Sequence, residues 1–387
     1  MKLLYYAPAS YGGIADYAHE QANALVELGI EVTLLCPPGY PIGKGEKYQI
    51  VQILQEIAHP NPGAHRWVKA LHFIKTVLAN FSRLADYIER QQFQSVLLGS
   101  YLEYFAPLWS GRLRQLASSG VVFGAVVHDP VRNFVVGPLW WHRWSIACGY
   151  SFLREAFVHY PIQLDTVQPM PHLRTTVIPH GTFQFPVAGR SRAATRRRLQ
   201  LPADARVMLA FGHIRDNKNL DLIIQAMAQF PDVYLLVAGK EQSSGQKPVA
   251  FYQTLATTWQ VAARCRWQVE FIPESEVANL FEASDLVLLT YSQTFHSASG
   301  VLNTAVSYRK PCLASGGEGA LGAVVQHYQL GIWVEPDEVS ALARGIQTWL
   351  EDALTPQWER YLAEQSWMQN AKQVAYCLGE CPDPLTR

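Results

Sequence analysis

Two cations three positions apart, Arg215 and Lys218, stand between an apolar run and a helical pattern. A guanidinium grips phosphate oxygens with two parallel N–H groups, whereas an ammonium acts as a point charge. Beside the start of a helix, which carries about half a positive charge, such a pair suits a dianion such as a diphosphate. The stretch Arg215-Asp-Asn-Lys218 also reads as an ordinary solvated turn. A second stretch, Ser292–Gly300, offers bare backbone instead of charge. It ends in small residues and opens a helix, so the amides of Ser299, Gly300 and Val301 form a second anion cradle, with the Ser297 and Ser299 hydroxyls beside them. Ser299 reads equally as a helix N-cap, and both roles can hold at once.

The elements that must position these groups follow from hydrophobic periodicity. Val207–Phe211 is an apolar run that breaks at Gly212, and Leu220, Ile223, Ile224 and Met227 resume as one buried helical face. Strand, loop and helix make half of a βαβ unit, and ligands in open α/β sheets bind beyond the carboxyl ends of the strands. The rhythm continues with strand Val233–Ala238, helix Pro248–Ala263, strand Val269–Phe271, helix Glu274–Ala283 and strand Leu286–Leu289. Helix Val301–Tyr308, strand Cys312–Ala314, a turn over Gly316–Gly319 and strand Ile332–Val334 follow. Val339–Leu350 and Trp358–Gly379 read as helical.

The first half has the same rhythm. Strand Leu3–Tyr6 leads into Gly12-Gly13, then a helix over 14–28 stopped by Gly29, then strand Glu31–Cys36, as in a parallel sheet. Gly12 and Gly13 either let the backbone approach a ligand closely or form a plain tight turn. A strand is expected near Tyr48–Leu54 and a long helix over Trp67–Arg90, with Val68, Leu71, Ile74, Val77 and Leu78 on one side. Strand Ser95–Leu98, helix Tyr104–Ser118 and strand Val121–Val127 lead to His128-Asp129-Pro130. Further strands are Ala156–His159 and Thr176–Pro179, the latter followed by His180. The segment from Gly137 crowds Trp140, Trp141, His142, Arg143 and Trp144, which suits a membrane-interface patch, a sugar platform or, most simply, an amphipathic helix. The boundary lies in Phe185–Leu201. Its basic run, Arg192 and Arg196 to Arg198, reads as the exposed face of a short helix, or as a contact for acidic lipid or an anionic acceptor.

A chain of 387 residues exceeds the roughly 250–300 that one core serves, so two domains are expected. With 49% hydrophobic and 17% charged residues the composition is globular. Lys+Arg and Asp+Glu both number 32, which argues against nucleic acid bound through a charge field. Cys36, Cys148, Cys265, Cys312, Cys377 and Cys381 are scattered, neither a disulfide framework nor a zinc site, and fit a reducing compartment. Only Cys377 and Cys381 lie close, which reads as coincidence. No stretch approaches the ~20 apolar residues needed to cross a bilayer, and the start of the chain is too short in apolar residues for a signal-peptide core. A cytoplasmic location is expected, with membrane contact through the surface of the N-terminal domain.

The ordered set of motifs resembles a GT-B glycosyltransferase, specifically the retaining family 4 (group 1) type. Gly212-His-Ile-Arg215-Asp-Asn-Lys218-Asn219 is similar to the family's G-x-I-R-x-x-K-G loop, and Ser299-Gly-Val-Leu-Asn-Thr-Ala-Val to Lys310-Pro311 is similar to its helix ending in a Lys-Pro strand start. Phe271-Ile272-Pro273-Glu274, followed by Leu280 to Asp285, resembles the pair facing the nucleotide base. Gly12-Gly13, His128-Asp129 and Ile178-Pro-His-Gly181 fall where the family has its glycine loop, a donor-facing His and an Ile-Pro-Asn-Gly turn. The match spans nearly the whole chain. It implies an α/β architecture of two doubly wound Rossmann-like domains facing across a cleft: an acceptor-binding domain over 1–185, a nucleotide-sugar domain over 186–365, and a helix over 366–387 crossing back to the first domain.

The resemblance further implies a hexosyltransferase that moves a sugar, glucose, from a UDP-sugar to a glycan or lipid-linked acceptor in polysaccharide biosynthesis, with retention. Arg215 and Lys218 would neutralise the leaving diphosphate, with His128 and His296 near the sugar. Gly12, Gly13, Gly212, Ile272, Pro273, Ser299, Gly300, Val301 and Thr304 would hold the donor. No metal or other cofactor is expected, in agreement with the missing Asp-x-Asp pair. One departure stands out. The family carries two glutamates eight positions apart at this helix, one near the transferred sugar and one on the ribose; here those positions are His296 and Thr304. Glu318, in the Gly-Gly-Glu-Gly turn, is the nearest remaining carboxylate. The rivals are a GT-B nucleotide-sugar epimerase and a catalytically silent nucleotide-sugar-binding subunit. A nicotinamide enzyme lacks its G-x-G-x-x-G after the first strand.

Overall fold

A computed structural model describes residues 1–57, 61, 63, 65–100, 102–132, 135–183, 185–242 and 245–379. The chain divides into two compact units, one of Met1–Gly181 together with the chain from Gln365 on, the other of Thr182–Glu364.

The first unit is built on seven strands: β1 (Lys2–Tyr6), β2 (Glu31–Cys36), β3 (Gln49–Gln52), β4 (Ser95–Leu98), β5 (Val122–Val126), β6 (Glu155–Val158) and β7 (Arg174–Val177). All pair in parallel, in the order β3-β2-β1-β4-β5-β6-β7. The crossovers include α1 (Gly13–Glu27), α2 (Arg66–Gln91), α3 (Ala106–Ser118) and α4 (Leu139–Tyr150). Sheets covered by helices on both faces need unbroken apolar strands; Leu3 to Tyr6 and Val96 to Leu98 are buried throughout. The order reverses between β1 and β4, where the chain leaves a crevice at the strand ends.

The second unit contains α5 (Arg192–Arg198), β8 (Arg206–Phe211), α6 (Leu220–Ala226), β9 (Val233–Ala238), α7 (Val249–Thr258), β10 (Cys265–Gln268) and α8 (Glu274–Ala283). It continues with β11 (Leu286–Thr290), α9 (Gly300–Ser307), β12 (Cys312–Ser315), α10 (Ala320–His327), β13 (Gly331–Trp333), α11 (Val339–Glu351) and α12 (Trp358–Glu364). This sheet is also fully parallel, in the order β10-β9-β8-β11-β12-β13. The last helix, α13 (Trp367–Gly379), leaves the second unit and packs on α1, β5 and β6 of the first. Two doubly wound α/β halves and a returning C-terminal helix are therefore the architecture, as the motifs implied.

Several local expectations are corrected. The third strand of the second half lies at Cys265–Gln268, not Val269–Phe271, and Phe271 is exposed. Arg266 and Trp267 keep the strand's polar-apolar mixture, because the Arg266 guanidinium lies over the Tyr234 ring. Helix α7 ends at Thr258, five residues early, and α10 forms directly after the expected turn, in a stretch to which no element was assigned. The apolar stripe of α2 is buried from Val77 on, while Val68 and Leu71 face solvent. The basic run of α5 is only in part a solvated face: Arg197 and Arg198 are exposed, but one member is not. Arg196 is fully buried, donating to the Ala283, Ala203 and Ala205 carbonyls at 2.9, 2.7 and 3.0 Å and to Asp285 Oδ2 at 2.8 Å. Arg192 also pairs with Asp285, and Arg198 with Glu276. Cys36, Cys148, Cys265, Cys312 and Cys377 are buried free thiols; Cys381 lies outside the described residues.

Candidate active site

The site in the second unit starts where β8 ends. Gly212 follows with φ +87°, a left-handed conformation that an L side chain enters only with strain. A Cβ there would lie 3.3 Å from Lys218 Nζ and 3.8 Å from Val301 Cγ2. The ammonium and the first turn of α9 therefore converge on one backbone position, so the two candidate anion-binding stretches adjoin. Gly212 also packs on Gly239 at the end of β9, whose added Cβ would come within 2.0 Å of the Gly212 oxygen.

After Gly212 the chain makes a single 3-10 turn, Asp216–Lys218. This brings Lys218 back so that Nζ donates to the Phe211 carbonyl at 2.7 Å. Burial, reinforced by the neighbouring Arg215 charge, lowers the Lys218 pKa from 10.5 to about 8. Arg215 is exposed, and its guanidinium has no hydrogen-bond or ion-pair partner among the described residues. The field these groups make is felt by His213, whose pKa is lowered by burial and then by Arg215, Lys218 and Lys240. Lys218, Arg215, Gly212 and Thr290 line one small recess. An ammonium held near its neutral point by burial gains most when a dianion arrives.

Helix α9 supplies the rest. Ser299 is its N-cap residue, but its hydroxyl does not cap; it meets the buried Tyr291 hydroxyl at 3.0 Å instead. Tyr291 stacks on Phe295, centroids 3.9 Å apart, so an aromatic pair fixes the loop. With the cap side chain turned away, the first amides of α9 keep their orphan N–H groups, and a Cβ on Gly300 would meet nothing within 4 Å.

His296 and Thr304, which stand at the glutamate positions, differ in what they can do. His296 Nδ1 donates to the Glu318 carbonyl at 2.8 Å, so Nε2 of the neutral ring is an acceptor and donates only when protonated. Gly317 and Gly319 wrap this loop so tightly that a Cβ on either would lie within 2.2 Å of its backbone oxygens. Glu318 itself is exposed. Thr304 is buried, and its hydroxyl donates back to the Gly300 carbonyl at 3.3 Å, a bond within α9. Ile272 is buried in the core of this unit and Pro273 precedes the first turn of α8, two strands away from β8.

One residue of the site has no motif to mark it. Asp337, at φ +61°, accepts from Asn219 Nδ2 at 2.8 Å and from the Gln293 amide at 2.9 Å. It ties the Lys218 turn to the loop that carries His296. Thr290 adds a bond to the Lys218 carbonyl and Ser292 one to the Asn217 carbonyl, each 2.9 Å. The sequence signal was a Pro-Asp pair after a short strand, a common turn composition.

The first unit holds Gly12, Gly13 and His128. Gly12, φ +79°, precedes α1, and a Cβ on it or on Gly13 would meet nothing within 4 Å. His128 follows β5 and is already engaged: Nε2 lies 3.0 Å from the Gly99 carbonyl and Nδ1 3.4 Å from His159 Nε2. His128, His159 and His180, beyond the ends of β5, β6 and β7, surround Tyr17 with Trp367 from α13. Burial lowers the pKa of all three histidines, that of His180 to about 4. Among the described residues no three such side chains are arranged to hold a metal.

Comparison with known proteins converges on the same reading. Residues 11–182 match Glycosyltransferase Family 4 and residues 191–373 match Glycosyl transferases group 1. A D-inositol 3-phosphate glycosyltransferase of Mycobacterium tuberculosis (strain ATCC 25618 / H37Rv) is 32% identical over 154 residues, 37% of this chain and 31% of that protein, so the match spans about a third of the relative's length. HepE of Anabaena, solved with UDP, superposes with a TM-score of 0.68 at 16% identity, covering 98% of this chain and 100% of HepE. Sucrose-phosphate synthase of Thermosynechococcus elongatus gives 0.61 at 18% identity, with 97% and 94% covered. With its two halves matched in order and its two parallel sheets wound alike, the chain belongs to the family 4, group 1 glycosyltransferases of GT-B fold.

Proposed function

We propose that this protein transfers a hexose, glucose, from a UDP-linked donor to a glycan or lipid-linked acceptor in polysaccharide assembly, with retention, at the cytoplasmic face of a membrane. The convergence of Lys218 Nζ and the first turn of α9 on Gly212 carries the reading. As the sugar leaves, negative charge grows on the β-phosphate. Arg215, Lys218 and the Gly300 and Val301 amides stabilise it there, fixed donors being worth most in such a role. These cations do the neutralising, so no metal ion is needed. His296 serves the sugar as a hydrogen-bond acceptor through Nε2, Gly12 and Gly13 help hold the donor, His128 contacts its sugar, and the first unit binds the acceptor substrate. The UDP-glucose complex of HepE, a protein of the same fold, supports the choice of donor.

A second reading is a nucleotide-sugar-binding subunit without transfer activity. The inward-turned Thr304 hydroxyl favours it, because no carboxylate stands where the family holds its ribose. Incubation with a panel of nucleotide-sugars separates the readings. UDP released from UDP-glucose faster by the protein than by its Lys218→Ala variant supports transferase chemistry. Tight UDP binding without release supports the silent subunit, and a changed sugar still attached to UDP would mean an epimerase.

A further inference from the structure

Beyond the carboxyl ends of β4 and β5 the first unit carries a recess of its own, beside the start of α1. Ile14 of α1, Glu103 and Tyr104 after β4, and His128, Asp129 and Arg132 after β5 line it, with Tyr150 at the end of α4. It adjoins the reversal of strand order between β1 and β4, the place where open α/β sheets bind ligands.

Arg132 is the one cation lining this recess among the described residues, and its guanidinium is committed. Nε donates to the Glu103 carboxylate, Nη1 to the Asp165 carbonyl at 3.0 Å and Nη2 to the Tyr150 hydroxyl at 3.2 Å. The Arg132 and Glu103 side chains are only 14% and 13% exposed, so the pair is a fixed part of the wall. A guanidinium held at all three nitrogens offers no two-pronged face to a phosphate. Burial lowers the His128 pKa, so this ring adds no charge at pH 7. Glu103 and Arg132 cancel, and the exposed Asp129 leaves the lining negative. Tyr104 feels that balance: burial and then Glu103 raise its pKa, Arg132 opposes them and Asp129 adds to them. Arg143 and Asp165, of opposite sign, line a neighbouring recess that Arg132 also borders. Tyr101, Asn133 and Phe134 belong to the same two loops but lie outside the described residues; none is charged in sequence.

Carboxylates accept hydrogen bonds and cannot donate them. Sugar hydroxyls donate to such groups, and the apolar face of a sugar ring suits Ile14, Tyr104 and Tyr150. A phosphate monoester brings acceptors alone and like charge, and meets no uncommitted cation here. We propose that this recess takes an uncharged sugar residue of the acceptor and rejects a phosphorylated one, with Glu103 and Asp129 accepting its hydroxyls. Any phosphate of a lipid-linked acceptor then lies at least one sugar away. The proposal rests on the reading that the first unit binds the acceptor substrate.

The test uses the full chain saturated with UDP, so that Arg215 and Lys218 are occupied. Saturation-transfer NMR ranks glucose, galactose, mannose and inositol against their own phosphate monoesters. At least one parent sugar should bind, and its monoester should bind at least about tenfold more weakly. Glu103→Gln removes one carboxylate and releases Arg132, so the monoester should gain about tenfold while the parent sugar weakens. Should that variant fail to fold, Asp129→Asn, at an exposed position, should shift the ranking in the same direction. UDP binding is measured first by calorimetry. If UDP does not bind, the donor reading falls on its own, and the ranking is made on Arg215→Ala/Lys218→Ala, where the sugars still decide this proposal. A monoester bound more tightly than its parent sugar by the wild type, a ranking that the variants leave unmoved, or no binding by any parent sugar would each overturn it.

Discussion

The ionisation of Lys218 makes the proposed donor site pH-dependent. In the unfolded chain this ammonium keeps its proton to 10.5; in the fold, burial and Arg215 bring the value to about 8. The depressed value costs stability at every pH below about 8, and the cost fades as pH rises towards 10.5. A diphosphate reverses the balance, because the bound dianion holds the proton on the ammonium. Above pH 8 binding must therefore take up a proton. At pH 9 only about one molecule in eleven carries a charged Lys218 before binding, so UDP affinity falls about tenfold from its value at pH 7, or about 1.4 kcal/mol. Solvent reaching the half-buried ammonium trims this figure without changing its sign. Removing the group in Lys218→Ala loses a charge-assisted bond of about 1.5–3 kcal/mol, roughly 10- to 150-fold at pH 7, and flattens the dependence. Calorimetry of UDP at pH 7, 8 and 9, in two buffers of different ionisation enthalpy, reads both the affinity and the proton. Equal affinity at pH 7 and 9, or an unaltered affinity in Lys218→Ala, would refute the reasoning.

Other perturbations follow from the same geometry. Asp337→Ala frees the Lys218 turn from the His296 loop and removes two bonds to a carboxylate, so UDP affinity should drop by about 2 kcal/mol or more; wild-type affinity in calorimetry would show that Asp337 positions nothing. Arg196→Met leaves Asp285 without its buried partner and should lower unfolding free energy by about 3–5 kcal/mol, whereas Arg206→Met, on an exposed residue, should leave chemical denaturation almost unchanged. His180, with its pKa depressed from 6.5 to about 4, contributes stability that is intact above pH 6.5 and lost as pH falls to about 4, on the order of 2 kcal/mol after allowing for partial exposure. Thermal melts of wild type and His180→Asn should converge over that window, and parallel curves would contradict the shift.

The two halves were readable because parallel strands buried on both faces announce themselves as short apolar runs, and the turns after β1 and β8 carry glycines. That Arg215 and Lys218 share one strand-to-helix loop was readable from their spacing, and Lys218 does return to the end of β8. The failures have a common cause, since the fate of a polar or apolar side chain depends on partners far along the chain. Arg196 looked like a solvated residue until four acceptors from the 203–205 and 283–285 segments enclosed it. Leu71 looked like core because its stripe continues into Val77, yet Val68 and Leu71 are exposed. Ser299 has the composition of a cap but spends its hydroxyl on Tyr291, and Thr304 spends its own on Gly300. Asp337 works through two loops that are distant in sequence, and no local pattern reports that.

The returning helix α13 has a consequence for how this molecule is made. Gln21 Nε2 donates to Asn370 Oδ1 at 2.6 Å across 349 positions, and Asn370 in turn donates to the Tyr17 hydroxyl and the Pro179 carbonyl at 2.7 and 2.6 Å. At about 5–20 residues per second, Gln21 waits roughly 17 to 70 seconds after emerging from the ribosome for the residue that satisfies it, counted over those 349 positions. Throughout that interval the earlier-born sheet stands with one flank bare, while the later-born sheet, contiguous in the chain, can close ahead of it. The half that is translated first is thus the half that is finished last.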